Sequence, residues 1–415
     1  MVEYLRRISL SIIFGVIDLF VRQKRSDVMI CTQYAILDAD VKPLLDRLSE
    51  VSAGQIYVCV QEDQLDTSTN DLESPYNDQV TIVESDTFSF LFKLATCRLV
   101  VLEGPHHLHG YRLFWQNYRR TCVLFYHGVI TKAYRRHAND NSSPSLFGRV
   151  KNTVLDWYLY TGIDAQSVAS DVERFFRSSA EGRHPAHFET LGYPRYDRIA
   201  ELLSDDPSPP PEEIDVEELK TDHDTILYAP THKDGAYRST PFPFENFELE
   251  ELRTFLREQD ARLFLRMHPN EEDSGIYEKF VDGETIFYAG QDRSPSSLEL
   301  LAHVDVLVTD YSSIYMDFLP FDRPVIFVTD RHEQFVDQRG IAFDYDRYFP
   351  GKTIDSAEEF LEHLETCLAG DETFSEDRSF VRRVLLPNWK ESTVEKVLAF
   401  SGFCDDESDP DSQYT

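Results

Sequence analysis

Several polar side chains stand directly after short apolar runs, where they could bind a phosphate or move a proton. In residues 306–327, an apolar run ends at Asp310 and is followed by Ser312 and Ser313 at the predicted start of a helix. The first backbone amides of a helix have no partner within the helix and carry partial positive charge, so they and the two hydroxyls can bind phosphate. The same residues could instead only cap the helix, and one geometry can serve both roles.

A histidine and an arginine stand together after another apolar run, in the segment RMHP (266–269). On an extended chain Arg266 and His268 point the same way, so both can reach one ligand. The guanidinium offers a planar set of donors and the imidazole offers a proton or a hydrogen bond, which suits a phosphoryl group. This segment is therefore a second candidate for phosphate binding.

His127 is the candidate general base. It follows the apolar run 121–126 and precedes Gly128, so it can stand exposed with the backbone close to a substrate. The ordinary pKa of a histidine, about 6.5, suits proton transfer near neutral pH. A structural histidine with satisfied hydrogen bonds would fit the same position without a chemical role.

The composition excludes several classes of protein. The 415 residues include 74 acidic and 41 basic side chains, for a formal net charge of −33, with 41% hydrophobic residues. This excludes a disordered chain, and the length predicts two or three domains. The negative field repels phosphates, so non-specific nucleic-acid binding is excluded and any phosphate site must be local. The balance of 40 Asp, 34 Glu, 30 Arg and 11 Lys indicates the acidic surface of a protein from a salt-rich cytoplasm.

Neither the cysteines nor the histidines show the spacing of a structural metal site. The six cysteines have no C-x-x-C spacing and stand mostly in apolar runs, which predicts buried free thiols. The segment PHHLHG (105–110) lacks a partnered carboxylate at helical spacing. No metal ligands are therefore assigned.

Apolar runs of strand length alternate with helical patterns in both halves of the chain. They predict strands at 28–31, 56–60, 80–83, 98–103 and 121–126, and then at 225–230, 261–269, 284–290, 304–310 and 323–330. Continuous apolar strands separated by helices are typical of parallel sheets covered on both faces. The predicted fold class is α/β with two doubly wound domains, in which ligands bind at the carboxyl ends of the strands.

The polar, proline-rich stretch 204–224 interrupts this alternation and is typical of exposed chain. The predicted parts are an N-terminal helix (1–26), a first Rossmann-like domain (27–200), a linker (201–224), a second Rossmann-like domain (225–402) and a disordered acidic tail (403–415).

Residues 8–21 form an apolar run too short to cross a bilayer comfortably as a helix. Asp18 interrupts the run and no A-x-A-like site follows, which argues against a signal peptide. On a helix, one polar stripe contains Arg7, Ser11, Gly15, Asp18, Arg22 and Arg25. The apolar faces and the basic residues favour an amphipathic helix on an anionic membrane surface. The alternative is a helix docked on the protein's own core or on a partner chain.

Five blocks in order resemble the CDP-glycerol glycerophosphotransferases, the family of teichoic-acid primases and polymerases. The blocks are YHGVITK (126–132), LGYPRYDR (191–198), YAPTHKD (228–234), RMHP (266–269) and TDYSSIYMDFLPFDRPVIF (309–327). The resemblance covers roughly residues 95 to 330, and the last block is the most specific. The N-terminal helix also resembles that family's membrane-associating segment.

The resemblance implies a GT-B-like fold, in which two Rossmann-type domains face a cleft and the second binds most of the donor. It implies transfer of glycerol phosphate from CDP-glycerol to a hydroxyl of a lipid-linked or polymeric acceptor, with release of CMP, at the cytoplasmic face of the membrane. No obligatory metal or cofactor is implied, a loosely bound Mg²⁺ stays open, and no oligomeric state is indicated.

The resemblance also implies roles for individual residues. His127 matches the family's catalytic histidine and His268 matches its His-Pro histidine, so both are assigned as catalytic residues. The residues that match donor phosphate positions or lie near them are Thr231, Arg266, Ser312, Ser313 and Arg195. The residues that match supporting positions are Gly128, Asp310 and Asp317.

The sequence departs from the family pattern beside both histidines. Tyr126 replaces a common tryptophan, Val129 and Ile130 replace a common Thr-Pro, and Met267 replaces a common proline. These changes bear on the acceptor and on the polyol of the donor, glycerol or ribitol. Two other functions fit the residues. One is a GT-B glycosyltransferase using a nucleotide sugar, and the other is a non-catalytic polymer-binding protein.

Overall fold

In the computed structural model the chain divides into two units, each with its own parallel sheet. The first unit contains Met1–Gly128, Asn141–Asp197 and Lys390–Thr415, and the second contains Val129–Asp140 and Arg198–Trp389. The structure describes residues 2–21, 23, 26–32, 40–52, 54–60, 79–115, 120–137, 146–204, 223–231, 241–267, 275–290, 293–294, 296–329, 332–338 and 340–403. Most of the predicted linker, most of the predicted tail, and His268 therefore lie outside the described residues.

The sheet of the first unit has seven strands in the order β3-β2-β1-β4-β5-β6-β7, and neighbouring strands are parallel. The strands are β1 (Val28–Cys31), β2 (Ile56–Val60), β3 (Val80–Glu84), β4 (Leu99–Leu102), β5 (Thr121–Leu124), β6 (Ala165–Ser167) and β7 (Phe188–Glu189). Every residue of β1, β2 and β4 is buried, as expected of parallel strands covered on both faces. The strand order reverses between β1 and β4, where doubly wound sheets bind ligands.

Eight helices accompany this sheet within the described residues. They are α1 (Val2–Phe20), α2 (Val41–Val51), α3 (Phe88–Thr96), α4 (His109–Arg112), α5 (Leu146–Tyr160), α6 (Asp171–Glu181), α7 (Pro194–Leu202) and α15 (Thr393–Ser401). Helix α7 begins in the first unit and ends in the second.

The sheet of the second unit has six strands in the order β10-β9-β8-β11-β12-β13, again with parallel neighbours. The strands are β8 (Asp224–Ala229), β9 (Ala261–Leu265), β10 (Ile286–Tyr288), β11 (Val306–Thr309), β12 (Val325–Val328) and β13 (Lys352–Ile354). The order reverses between β8 and β11. The helices are α8 (Leu249–Glu258), α9 (Ser297–Ala302), α10 (Ile314–Phe318), α11 (His332–Gln338), α12 (Tyr345–Tyr348), α13 (Ala357–Leu368) and α14 (Ser375–Leu385).

The ten predicted strands correspond to β1 to β5 and β8 to β12, which confirms the α/β fold class. The prediction missed β6, β7 and β13, because two or three residues make too short a run to stand out. The five cysteines in the described ranges are buried and none of them forms a disulfide, as predicted. Burial raises the pKa of the Cys122 thiol to about 12.

The division into units differs from the predicted domains in the placement of helix α15 and of residues 129–140. Helix α15 belongs to the first unit, where Thr393 donates from its backbone N to Asp197 Oδ1 at 2.8 Å and from its hydroxyl to the Tyr193 carbonyl at 3.1 Å. Residues 129–140 belong to the second unit, where Lys132 forms an isolated antiparallel bridge with Ile341. Both assignments depend on contacts between residues distant in sequence, which periodicity does not report.

Helix α1 packs against the rest of the first unit on the side that contains Ser11 and Asp18 of the predicted polar stripe. Ser11 and Asp18 are buried on this side, and Leu10 and Phe14 join the hydrophobic core there. The helix spans Val2–Phe20, and its inner side packs on the protein's own core as in the docked alternative, while binding of its outer side to a membrane stays a prediction. Among the described residues, no helix is long and apolar enough to span a membrane.

Candidate active site

His127 lies just beyond the carboxyl end of β5, at the edge of the first sheet. The Phe125 amide still donates to the Leu102 carbonyl at 2.7 Å, so the chain leaves the sheet only after that residue. The His127 side chain is 40% exposed, and its Nδ1 lies 3.9 Å from Oε1 of Glu103. The imidazole is thus accessible on one side and faces a carboxylate on the other.

Glu103 is a residue that the sequence reasoning missed. It follows β4, the strand beside β5, and is 3% exposed. Its Oε2 accepts a hydrogen bond from the Thr32 hydroxyl at 2.7 Å, and Thr32 follows β1. The sequence shows a charged residue directly after an apolar run, which could have marked Glu103 as a candidate. Its position beside His127, however, follows only from the strand order.

Gly128 occupies a backbone conformation that favours glycine. Its φ is +96°, and an added Cβ would lie 3.0 Å from Nη1 of Arg195. Arg195 is buried and forms an ion pair with Asp40, with Nη2 2.6 Å from Oδ2. The guanidinium therefore lies under the turn that carries His127.

Arg177 supports the same turn from α6. It is 2% exposed and donates to the Gly128 carbonyl at 3.2 Å, while its guanidinium lies 4.7 Å from the ring centroid of Tyr126. Glu173 Oε1 accepts from both Arg177 Nε and the Tyr193 hydroxyl at 2.8 Å. This buried network fixes the residues on both sides of His127, and no sequence motif indicated it.

In the second unit, Asp310 joins the ends of the two strands at which the sheet order reverses. It is 2% exposed, and its Oδ1 accepts from the Thr231 amide at 2.7 Å and from the Tyr311 amide at 2.6 Å. The Thr309 hydroxyl also donates to the Ala229 carbonyl at 2.7 Å. Asp310 therefore positions the segment after β8 against the segment after β11.

The two serines lie where the sequence placed them, between β11 and α10. Ser313 is the N-cap residue of α10, and the Ser312 hydroxyl accepts from the Ile314 amide at 3.5 Å. Asp317 lies in the first turn of this short helix and is buried. The capping role is therefore weak, which leaves the half-buried hydroxyls able to face a ligand.

Arg266 follows β9, the neighbour of β8. Its Nη1 donates to the carbonyls of Ala289 and Ser294, at 3.0 and 2.7 Å. These bonds hold the side chain along the carboxyl edge of the sheet, where Thr231 and Ser312 also lie. His268 is two residues beyond Arg266 and lies outside the described residues. In the described part of the chain, no three His, Cys, Asp or Glu residues are grouped to hold a metal ion.

The sequence profile of the CDP-glycerol:poly(glycerophosphate) glycerophosphotransferases matches residues 20–398. A teichoic acid glycerol-phosphate transferase of Staphylococcus aureus is 31% identical over 199 residues, which are 45% of this chain and 46% of that protein. A teichoic acid poly(glycerol phosphate) polymerase of Bacillus subtilis is 32% identical over 159 residues, 37% of this chain and 20% of that protein. The matched regions thus cover less than half the length of these relatives.

Solved structures show the same fold over nearly the whole chain. The wall teichoic acid polymerase TagF superposes with a TM-score of 0.70 at 16% identity, covering 97% of this chain and 95% of that chain. A UDP-GlcNAc 2-epimerase of Neisseria meningitidis superposes with a TM-score of 0.53 at 10% identity, covering 92% and 99%. With a family match that spans most of its length, this chain belongs to the CDP-glycerol:poly(glycerophosphate) glycerophosphotransferase family.

Proposed function

We propose that this chain transfers glycerol phosphate from CDP-glycerol to a hydroxyl of a membrane-linked acceptor or growing surface polymer, with release of CMP. One observation carries the proposal. In a chain that matches the family over residues 20–398, His127 stands partly exposed just beyond the carboxyl end of β5, beside a buried carboxylate that follows the neighbouring strand β4. One TagF structure of the same fold comes from a 15-minute soak with CDPG.

In the proposed step, Nε2 of His127 takes the proton of the acceptor hydroxyl. The oxygen attacks the β-phosphorus of CDP-glycerol, and the bond from this phosphorus to the oxygen that bridges to the α-phosphate breaks. CMP leaves with that oxygen, and glycerol phosphate joins the acceptor through a phosphodiester. The base supplies a nucleophile, while fixed donors stabilise the charge on the transferring and leaving phosphates.

We assign the donor phosphates to the carboxyl edge of the second sheet. Thr231, Arg266, Ser312 and Ser313 are the proposed donors of hydrogen bonds, and His268, two residues after Arg266, is proposed to act with them. Asp310 would act by holding Thr231 in place. The contacts of Arg195 with Asp40, and its position under Gly128, favour support of the His127 turn over a direct bond to phosphate.

Replacing Ser312 and Ser313 together by alanine tests the phosphate site. A hydrogen bond to a charged group contributes about 1.5–3 kcal/mol, so we expect KM for CDP-glycerol to rise at least tenfold. The matched control is Ser356→Ala in the same unit, where the hydroxyl caps α13 by accepting from the Glu359 amide at 3.3 Å. The control variant loses a cap alone and should keep its KM. An unchanged KM in the double variant would exclude these hydroxyls from donor binding.

The experiment that tests the reaction class is a donor screen at high salt. CDP-glycerol, CDP-ribitol and several UDP- and GDP-sugars are compared by thermal shift and by release of free nucleotide. We expect stabilisation and CMP release with a CDP-polyol alone. A preference for a nucleotide sugar would instead assign the chain to the glycosyltransferases and contradict the proposal.

We further propose that the exposed side of α1 binds an anionic membrane surface. The side chains of Val16, Leu19 and Phe20 are 54%, 61% and 84% exposed on this helix. Further exposed apolar side chains lie on α3, which packs against α1, and on α5, where Trp157 is 62% exposed. Arg6 and Arg7 are exposed at the other end of α1, in an otherwise strongly acidic chain. Apolar side chains flanked by basic ones suit an interfacial helix.

Substitution of the outer side of α1 tests this proposal without unfolding the helix. The triple variant Val16→Ser, Leu19→Ser and Phe20→Ser should bind phosphatidylglycerol vesicles at least about tenfold more weakly in sedimentation, because burying each large apolar side chain contributes about 1.5–3 kcal/mol. The control is Val172→Ser with Phe175→Ser, two exposed apolar residues on α6. Equal binding by the triple variant and wild type would exclude this face as the membrane contact.

A further inference from the structure

We propose that Glu103 is a positioning residue for His127. Its carboxylate holds the imidazole so that Nδ1 faces the protein and Nε2 faces the acceptor hydroxyl. This inference rests on the proposed function, in which His127 is the general base. It adds a residue that none of the five sequence blocks contains.

The sheet topology brings the two residues together with Thr32. β4 lies between β1 and β5, so Thr32, Glu103 and His127 follow three adjacent strands at the same edge. The Glu103 amide donates to the Cys31 carbonyl at 3.0 Å, which keeps its backbone in register with β1. The strand order therefore fixes where the carboxylate stands before any ligand is bound.

The two oxygens of the carboxylate face different partners. Oε2 accepts from the Thr32 hydroxyl at 2.7 Å, and Oε1 lies 3.9 Å from Nδ1 of His127. A distance of 3.9 Å exceeds a hydrogen bond, but catalytic contacts often shorten when substrate binds. A hydrogen bond from Nδ1 to a carboxylate fixes the tautomer in which Nε2 accepts a proton.

Burial gives this carboxylate its effect on the reaction. Glu103 is 3% exposed, whereas His127 is 40% exposed in its side chain. An attraction between opposite charges strengthens as water is excluded, so a buried carboxylate stabilises the imidazolium that forms when the base takes a proton. The same group would thus orient the neutral ring and favour its protonated product.

Other charged or titratable groups lie on the segments that carry or support the pair. His106, His107 and Arg112 follow Glu103 along the chain, Arg177 donates to the Gly128 carbonyl, and Arg195 pairs with Asp40 beneath Gly128. The decisive variants leave all of these groups in place. A shift that Glu103→Gln causes in the pH profile therefore reports the loss of the Glu103 charge.

Glu103→Gln keeps the shape of the side chain and removes its charge. We expect kcat with CDP-glycerol to fall about tenfold to a hundredfold, with KM for the donor nearly unchanged. The acidic limb of the kcat/KM profile should move to lower pH, because an anionic neighbour favours the protonated imidazole and an amide does not. Thr32→Val, which removes the hydroxyl that holds Oε2, should lower kcat about threefold to tenfold and gives a second test if the first variant is unstable.

The double variant Glu103→Gln with His127→Ala separates positioning from a structural role. If Glu103 acts through the histidine, the double variant is as slow as His127→Ala alone. If Glu103→Gln lowers kcat by the same factor in wild type and in His127→Ala, the role of Glu103 is structural and the inference is overturned. If Glu103→Gln keeps the wild-type kcat while His127→Ala is inactive, the inference about Glu103 is overturned but the proposed base is not. An active His127→Ala would contradict the proposed base as well.

Discussion

Replacing His127 by alanine is expected to lower kcat with CDP-glycerol at least about a hundredfold, because the acceptor hydroxyl then loses its general base. The His127 side chain is 40% exposed and makes no part of the core, so the variant should melt close to wild type. CMP release measured over a range of CDP-glycerol concentrations checks both kcat and KM. The fall should appear in kcat, since the donor is assigned to the other unit.

An exposed histidine of the same unit provides the control for this result. His187 lies in the 3₁₀ turn Pro185–His187, outside the proposed site. His187→Ala should keep wild-type kcat and KM. A loss below tenfold for His127→Ala would remove this histidine from the role of base.

Replacing Arg120 by methionine is expected to lower the free energy of unfolding of the first unit by about 3–5 kcal/mol, because it leaves a buried charge without its partner. Both side chains of the Arg120 and Asp18 pair are fully buried, with Nη2 2.6 Å from Oδ1. Arg120 also donates to the carbonyls of Leu94, Ala95 and Cys97 at the end of α3. One guanidinium thus joins α1 to α3.

Urea unfolding followed by tryptophan fluorescence measures this effect, since the Trp115 ring lies 4.8 Å from the Arg120 guanidinium. Arg47→Met is the matched control, because Arg47 pairs with Glu395 on the surface and should contribute less than about 1 kcal/mol. Asp18→Ala combined with Arg120→Met should recover part of the loss, since no charge is then left buried alone. A shift for Arg120→Met no larger than that of the control would contradict the role of this pair.

The same contacts show how the membrane proposal should be tested. Deleting residues 1–25 would remove Leu10 and Phe14 from the core and leave Arg120 without Asp18. Loss of membrane binding by a deleted chain could then result from unfolding. Substitutions on the outer side of α1 avoid this problem.

Sequence reasoning predicted the parts of the fold that depend on local pattern. The apolar runs of β1 to β5 and β8 to β12 are continuous because parallel strands are buried on both faces. Residues directly after such runs fall at the carboxyl edge, which is why His127, Arg266 and Ser312 could be predicted as site candidates, whereas Thr231 was assigned only through the family resemblance. That the protein comes from a salt-rich cytoplasm stays a prediction from its acidic composition.

The remaining features depend on contacts between distant parts of the chain. Glu103 meets His127 because β4 and β5 are neighbours, and Arg177 reaches Gly128 from a helix 49 residues away. The periodicity of the sequence shows the polar stripe of α1. That this stripe faces the core depends on the ion pair between Asp18 and Arg120, which are 102 residues apart. Neither spacing nor composition reports such pairs.

The most direct test of the central claim is to measure transfer and nucleotide release together. The protein is incubated with CDP-glycerol labelled in its glycerol and with oligo(glycerol phosphate) as acceptor, and labelled polymer and CMP are quantified over time. We predict one glycerol phosphate joined to the acceptor for each CMP released, with both lowered at least about a hundredfold in His127→Ala. Release of CMP without labelled polymer, or equal transfer by the His127→Ala variant, would contradict the account.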